Sequence, residues 1–225
     1  MDLIQFFKKS KSTLIFMFFF SVIFIPVIYF LVKPKTVLPV YNPVDVNPRL
    51  VDDRVKHISR DHKIADFELL NQEGQIITQE NFKDKIYVAD FFFTRCQTIC
   101  PIMTINMAEL QAHYKDDPKI KFLSHSVTPI IDSVPVLRAY ADKNGAIDGK
   151  WDITTGDKKH IYELARKSYF AVLDEGDGGD QDFIHTEQFV LVDSKRQIRG
   201  FYDGTDSREL ERIFNDIQIL KNEEE

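Results

Sequence analysis

Cysteine is scarce in this chain: two residues in 225, Cys96 and Cys100, with none before them. A lipid-modified N-terminal cysteine is therefore not expected. Arginine is missing from the first 35 residues, where Asp2 stands, which argues against a mitochondrial transit peptide. The net charge is −6 and no basic stripe is present, so nucleic acid is not an expected partner. No internal repeat is found. Proline does not occur after Pro135, a point that bears on the chemistry below.

What is present begins with an uncharged block, Ser12 to Val32, "STLIFMFFFSVIFIPVIYFLV". A helix of that length is roughly 30 Å long, about one hydrocarbon core, and Pro26 is tolerated better there than in a soluble helix. No small-x-small cleavage site follows, and signal-peptide apolar regions are shorter. The block reads as an uncleaved transmembrane anchor rather than a cleaved signal or a buried core helix. The positive-inside bias is slight, with Lys8, Lys9 and Lys11 before the span and Lys33 and Lys35 after it. The short head and the large C-terminal part place that part outside the cytoplasm. The expected organisation is a cytoplasmic head (1–11), the anchor (12–32), a proline-rich extended linker (33–61) and a folded domain (62–220). A bacterial inner membrane, crossed once with the domain on the periplasmic side, fits best.

A folded part of about 160 residues can bury around 70% of its unfolded surface without disulfide staples. "FELLNQEGQIIT" (67–78) predicts a hairpin around an Asn-Gln-Glu-Gly turn. "KIYVADFFFT" (85–94) and "KIKFLSHSV" (119–127) predict strands buried on both faces. Helices are expected over 102–114, 134–143 and 157–169, the last opening at Asp157 as N-cap. A hairpin is expected from "EQFVLVD" (187–193) and "QIRGFYD" (197–203), and a closing helix over 207–220. This order predicts an α/β fold of the thioredoxin-like type, a central mixed sheet flanked by helices with an added N-terminal hairpin.

The cysteines fall between a buried strand and a helix, where open α/β sheets place ligand sites. Pro101 suits the first helical turn, which makes Cys100 the expected N-cap. Free N–H groups and the positive end of the helix dipole there favour thiolate over thiol. The C-x-x-x-C spacing permits a Cys96–Cys100 disulfide when oxidised, because residues four apart on a helical turn are about 6 Å apart. It also lets the sulfurs spread to the roughly 4 Å that two thiolates on one metal require. Two buried free cysteines, or a merely structural disulfide, are the plainer alternatives.

Two cysteines seldom complete a metal site, so the six histidines matter. His113 and His160 read as helix-surface residues, and His57 and His62 lie in or beside the linker. His125, in the strand next to the cysteine strand, is a weak candidate. His185 ends a loop just before the strand that faces the dithiol in thioredoxin-like folds, where thioredoxins carry a proline that this chain lacks. Two thiolates and one imidazole make a soft, low-coordinate site that suits copper(I), or zinc with a fourth ligand; copper fits better. Met103 and Met107 read as packing residues before thioether ligands. The acidic loop "DEGDGGDQD" (174–182) lacks EF-hand order, so calcium is not expected. It reads as a solvated loop, or as one that carries His185 toward and away from the cysteines.

These residues resemble the SCO/SenC copper-chaperone family over roughly 62–215. The matches are Phe93, Cys96, Cys100 and Pro101, then His185 with Thr186; "SVTPIIDS" through Ser126, Val127, Pro129 and Asp132; and "WDITTG" through Trp151, Thr155 and Gly156. Gln97, Thr128 and Ile184 depart from the family's usual residues, and Thr128 and Ile184 leave the site less acidic. The resemblance implies a tethered thioredoxin-like domain that binds copper through Cys96, Cys100 and His185, as copper(I) with copper(II) left open. It implies delivery of copper to the dinuclear copper centre of cytochrome c oxidase subunit II, or reduction of that centre's cysteines. A copper donor or a thiol reductant is then a second partner, and the protein is not primarily an enzyme. The rival reading is an extracytoplasmic thiol-disulfide oxidoreductase in which Cys96 attacks and Cys100 resolves.

Overall fold

A computed structural model describes residues 11–32, 36–51, 57, 60–172, 179 and 182–225. The chain divides into two compact units, Met1–Thr36 and Val37–Glu225. The first contains helix α1, Lys11–Val32, with Pro26 inside it. Its described apolar side chains, from Ile15 to Ile28, are nearly all exposed. Among the described residues no helix is long and apolar enough to cross a membrane. The expected transmembrane helix over 12–32 is thus seen as a helix, Lys11–Val32, but not as a membrane span among the described residues.

The second unit is built on a seven-stranded sheet ordered β2-β1-β5-β4-β3-β6-β7. Its strands are β1 (Glu68–Asn71), β2 (Ile76–Thr78), β3 (Ile86–Phe92), β4 (Ile120–Ser126), β5 (Trp151–Thr155), β6 (Gln188–Val192) and β7 (Ile198–Asp203). β3–β4 and β4–β5 pair parallel, the remaining neighbours antiparallel. The helices are α2 (Cys100–His113), α3 (Val134–Asn144), α4 (Lys158–Glu163) and α5 (Ser207–Glu224). This is the mixed, helix-flanked thioredoxin-like sheet that the sequence predicts.

The central strand β3 is buried at all seven positions, as a strand covered on both faces must be. Its alternating side chains feed two cores. Tyr87, Ala89 and Phe91 join Ile161, Tyr162 and Tyr169 on one face. Ile86, Val88 and Phe92 join Met103, Met107, Leu137 and Ile213 on the other. The fully buried Met103 and Met107 thus pack α2 against the sheet. Each such apolar side chain contributes about 1.5–3 kcal/mol relative to exposure.

Three features differ from the sequence expectation. β5 was not anticipated, yet it joins the N-terminal hairpin to the rest of the sheet through Leu70↔Thr155 and Phe122↔Trp151. Asp152 disguises it, since a buried carboxylate is rare in a strand interior; here Lys121 pairs with it at 2.8 Å and Asn71 donates to it at 3.2 Å. The chain from Val37 onward does not act as a free spacer. Leu38, Val46 and Val51 are buried, Tyr41 N donates to the Ile198 carbonyl, and Arg199 donates to the carbonyls of Leu38 and Pro39. Arg199 is itself held by Asp193 and Glu223, contacts between residues too distant in sequence to be seen there. Finally, the helix opening at Asp157 runs regularly only to Glu163 and continues as a wider π-turn, Leu164–Ser168. Asp157 does cap it, accepting from His160 N at 2.8 Å.

Candidate functional site

β3 ends at Phe92, and the chain turns through Phe93–Ile99 into α2. Cys100 is the first helical residue rather than the N-cap. Ile99 already has helical dihedrals and its carbonyl accepts from Ile102 N and Met103 N. Pro101 lies in the first turn, as expected. Cys96 sits on the loop, half-buried, and Cys100 is buried; both are free thiols. The backbone N–H of Cys100 donates to Cys96 Sγ at 3.4 Å, and Thr98 Oγ1 lies 3.6 Å from the same sulfur.

The two sulfurs are unequal. Burial alone would push Cys96 up, but hydrogen bonds from the Cys100 thiol, the Cys100 amide and Thr98 outweigh it and bring Cys96 down to about 6. Burial pushes the Cys100 thiol up to about 12, helped by its hydrogen bond to Cys96 and the negative charges of Cys96 and Asp90. Near neutrality the site therefore holds one thiolate and one thiol. The alkylation rate of Cys96 should fall about tenfold per pH unit below 6 and level off above it, since only the thiolate reacts. Cys100→Ala removes the hydrogen bond that most strongly lowers Cys96, so the midpoint should move upward. Iodoacetamide labelling read by mass spectrometry across pH 4–9 measures both.

The loop is anchored by Asp132, which is fully buried. Its carboxylate accepts from Thr94 N at 3.2 Å, Thr94 Oγ1 at 2.5 Å, Ser126 Oγ at 2.6 Å and Thr128 Oγ1 at 2.8 Å. One side chain thus ties the backbone two residues before Cys96 to the turn after β4.

His185 lies three residues before β6, exposed, with its ring 6.4 Å from that of Phe93. Phe183 packs edge-on against the same ring at 5.2 Å. The fold thus brings the His185 segment against the cysteine loop, but among the described residues no group of three His, Cys, Asp or Glu side chains stands ready to hold a metal ion. His125 is a core residue, not a ligand. It is fully buried between Phe91, Phe67 and Tyr169, and burial lowers its pKa to about 3. His62 is held by the Ser168 carbonyl at 2.8 Å, and His113 packs on Tyr114 and Phe214. Most of the acidic loop over 174–182, and with it the expectation of loop motion, lies outside the described residues. Asp182 at its end does not: it forms a buried ion pair with Arg166, a pairing that composition alone does not reveal.

A reduced, electrostatically asymmetric cysteine pair at a strand-to-helix corner of a thioredoxin-like sheet defines a thioredoxin-fold dithiol protein. The SCO1/SenC family model matches residues 55–221, and the chain belongs to that family. It is 32% identical to the SCO1 protein homolog of Bacillus subtilis over 70% of this chain and 82% of that protein. A SCO1/SenC family lipoprotein from Bacillus anthracis superposes with a TM-score of 0.63 at 31% identity, covering 71% of this chain and 95% of that one. BsSco, a member of the Sco family of cytochrome c oxidase assembly proteins in which a disulfide switch was identified, gives 0.61 at 31% identity, covering 71% and 94%. Copper-bound ScoI of Bradyrhizobium japonicum shares the fold at 23% identity, with a TM-score of 0.56 over 71% of this chain and 100% of that one.

Proposed function

We propose that this protein is a membrane-anchored copper-binding factor of cytochrome c oxidase assembly, with Cys96, Cys100 and His185 as its ligands. The observation that carries the reading is the cysteine pair itself: free, with the Cys100 amide donating to Cys96 Sγ, and next to the loop residue Phe93 against which the His185 segment docks. Thiolates and an imidazole are the donors copper(I) prefers. Copper is the cargo here, taken up and passed on. Binding must displace the proton from Cys100, which burial otherwise keeps in place, and Asp132 keeps the loop from unravelling while that happens.

Family membership and the role of BsSco support oxidase assembly as the setting. The dinuclear copper centre of subunit II is the proposed acceptor, and a copper donor or thiol reductant the second partner. The lipoprotein nature of the Bacillus anthracis relative supports membrane attachment. In this chain the uncharged segment 12–32 is the proposed point of attachment, with the domain on the periplasmic side of a bacterial inner membrane.

The inequality of the two cysteines also favours a second reading, thiol-disulfide exchange. The Cys96 thiolate attacks one sulfur of a partner disulfide, the partner S–S bond breaks, and a mixed disulfide forms as the other sulfur leaves as thiolate. Cys100 then loses its proton and attacks Cys96 Sγ. The second partner thiolate departs, leaving the partner reduced and Cys96–Cys100 oxidised. His185→Ala separates the two. On the copper reading it lowers copper(I) affinity at least tenfold in competition with a chromophoric chelator while disulfide reduction persists. Unchanged affinity removes His185 from the ligand set and leaves the exchange reading standing.

A further inference from the structure

A ligand carried on a loop is only as well placed as the backbone beneath it, and the backbone around His185 is held from both sides. Residues 182–186 alternate as an extended chain does: Asp182, Ile184 and Thr186 turn toward the protein, while Phe183 and His185 are exposed. Arg166 grips Asp182 with both arms of its guanidinium, Nη1 to Oδ2 at 2.6 Å and Nη2 to Oδ1 at 2.7 Å. The side chains are only 6% and 9% exposed. The Asp182 carbonyl accepts from Lys158 Nζ at 2.7 Å and from Tyr162 Oη at 3.3 Å. Tyr162 Oη also donates to the Val127 carbonyl at 3.0 Å, beside the end of β4. On the other side of His185, Thr186 Oγ1 donates to the Ala171 carbonyl at 2.8 Å.

Both grips come from one irregular stretch. The π-turn at Leu164–Ser168 is marked by Tyr169 N donating to the Leu164 carbonyl five residues back, and the chain then folds onto it as Ala171 N donates to the Ala165 carbonyl. It is followed by Phe170 at φ +50, a conformation that bulky side chains rarely adopt. Strained turns of this kind persist where the surrounding structure needs their geometry. Here the π-turn supplies Arg166 and the chain just beyond it supplies the Ala171 carbonyl, one for each flank of His185. A buried ion pair is a weak source of stability compared with apolar packing of the same volume. Its two-pronged geometry does fix the direction of the chain.

We infer that the Arg166–Asp182 pair, presented by the π-turn, is the positioning device that aims His185 at Cys96 and Cys100. Neither residue touches the metal; they act through the backbone of 182–186. The inference rests on the copper reading, and the test keeps their failures apart.

The reduced, full-length protein is titrated with copper(I) against a chromophoric chelator, and the imidazole contribution to copper X-ray absorption is recorded. Asp182→Asn and Arg166→Met should each lower affinity about 10–100-fold, the usual loss when a partner that orients a metal ligand is removed. The imidazole signal should weaken in parallel. The exchanged pair Arg166→Asp with Asp182→Arg should recover part of both. Added to His185→Ala, Asp182→Asn should change affinity little, because the two act through one ligand. In the copper-free protein, Asp182→Asn should speed amide hydrogen exchange at 184–187 and leave β3 and β4 protected. Should Asp182→Asn fail to fold, Arg166→Lys and Thr186→Val weaken one grip each and carry the same expectations. Wild-type affinity and a full imidazole signal in these variants overturn the inference alone, provided His185→Ala still binds weakly. Equal loss on the His185→Ala background also overturns it, since the effect is then structural. If wild type and His185→Ala bind alike, the ligand set fails and the inference with it.

Discussion

Replacing Cys96 or Cys100 with serine should abolish tight copper(I) binding. Each substitution exchanges a soft thiolate for a hard hydroxyl that stays protonated, so the loss should exceed the roughly 10–100-fold typical of an outer hydrogen-bond partner. The unequal cysteines add a pH signature. Of the two sulfurs, only Cys100 has a proton to lose between pH 6 and 12. The cysteines should then release about one proton on copper uptake, which by itself raises affinity about tenfold per pH unit. Below pH 6 both sulfurs are protonated, two protons must leave, and the slope should double. Competition titrations from pH 5 to 8, paired with proton release measured in weak buffer, read both quantities. A flat affinity across that range would mean that Cys100 does not bind as thiolate.

The second large effect is on stability. Asp132→Ala removes the one acceptor shared by Thr94 N, Thr94 Oγ1, Ser126 Oγ and Thr128 Oγ1. All four donors are neutral, so the carboxylate is held by hydrogen bonds that each contribute about 1.5–3 kcal/mol when one partner is charged. The hydroxyls can turn to other acceptors and the Thr94 amide cannot, so the loss should fall below the sum, on the order of 4 kcal/mol. Urea unfolding of the reduced, copper-free protein should show a lower midpoint at unchanged slope. Since Thr94 is two residues before Cys96, the reactivity of Cys96 in the folded variant should change as well. A variant as stable as wild type would show that Asp132 does not anchor this loop.

Much of this architecture is legible in the chain because it follows from local patterning. Seven consecutive buried residues in β3 read as a double-faced strand. Pro101 marks the start of α2 within a residue, and Asp157 marks that of α4. The helix start marks the cysteine pair as reactive, but the thiolate falls on Cys96 in the loop, lowered by hydrogen bonds from Cys100 and Thr98, while burial raises Cys100, the expected thiolate. β5 escaped because Asp152 interrupts its apolar pattern, and a strand that neutralises a buried carboxylate with Lys121 cannot be recognised until Lys121 is beside it. The segment from Val37 escaped because its prolines suit an extended spacer equally well whether or not Arg199 is there to hold it.

The sequence by itself determined the chemistry on offer: two cysteines, their spacing, a histidine where a proline is usual, and no other cysteine to compete. Residue type and short-range spacing are local properties, and they mark a reactive pair without saying which sulfur becomes the thiolate. Only the tertiary structure decided how that chemistry is arranged. Burial of Cys100 raises that thiol, and hydrogen bonds from Cys100 and Thr98 lower the half-buried Cys96, so their acidities separate. Asp132 meets Thr94 across 38 positions, and Arg166 meets Asp182 across 16. These contacts depend on the sheet order and on a strained π-turn, and packing of that kind leaves no periodic trace in the chain.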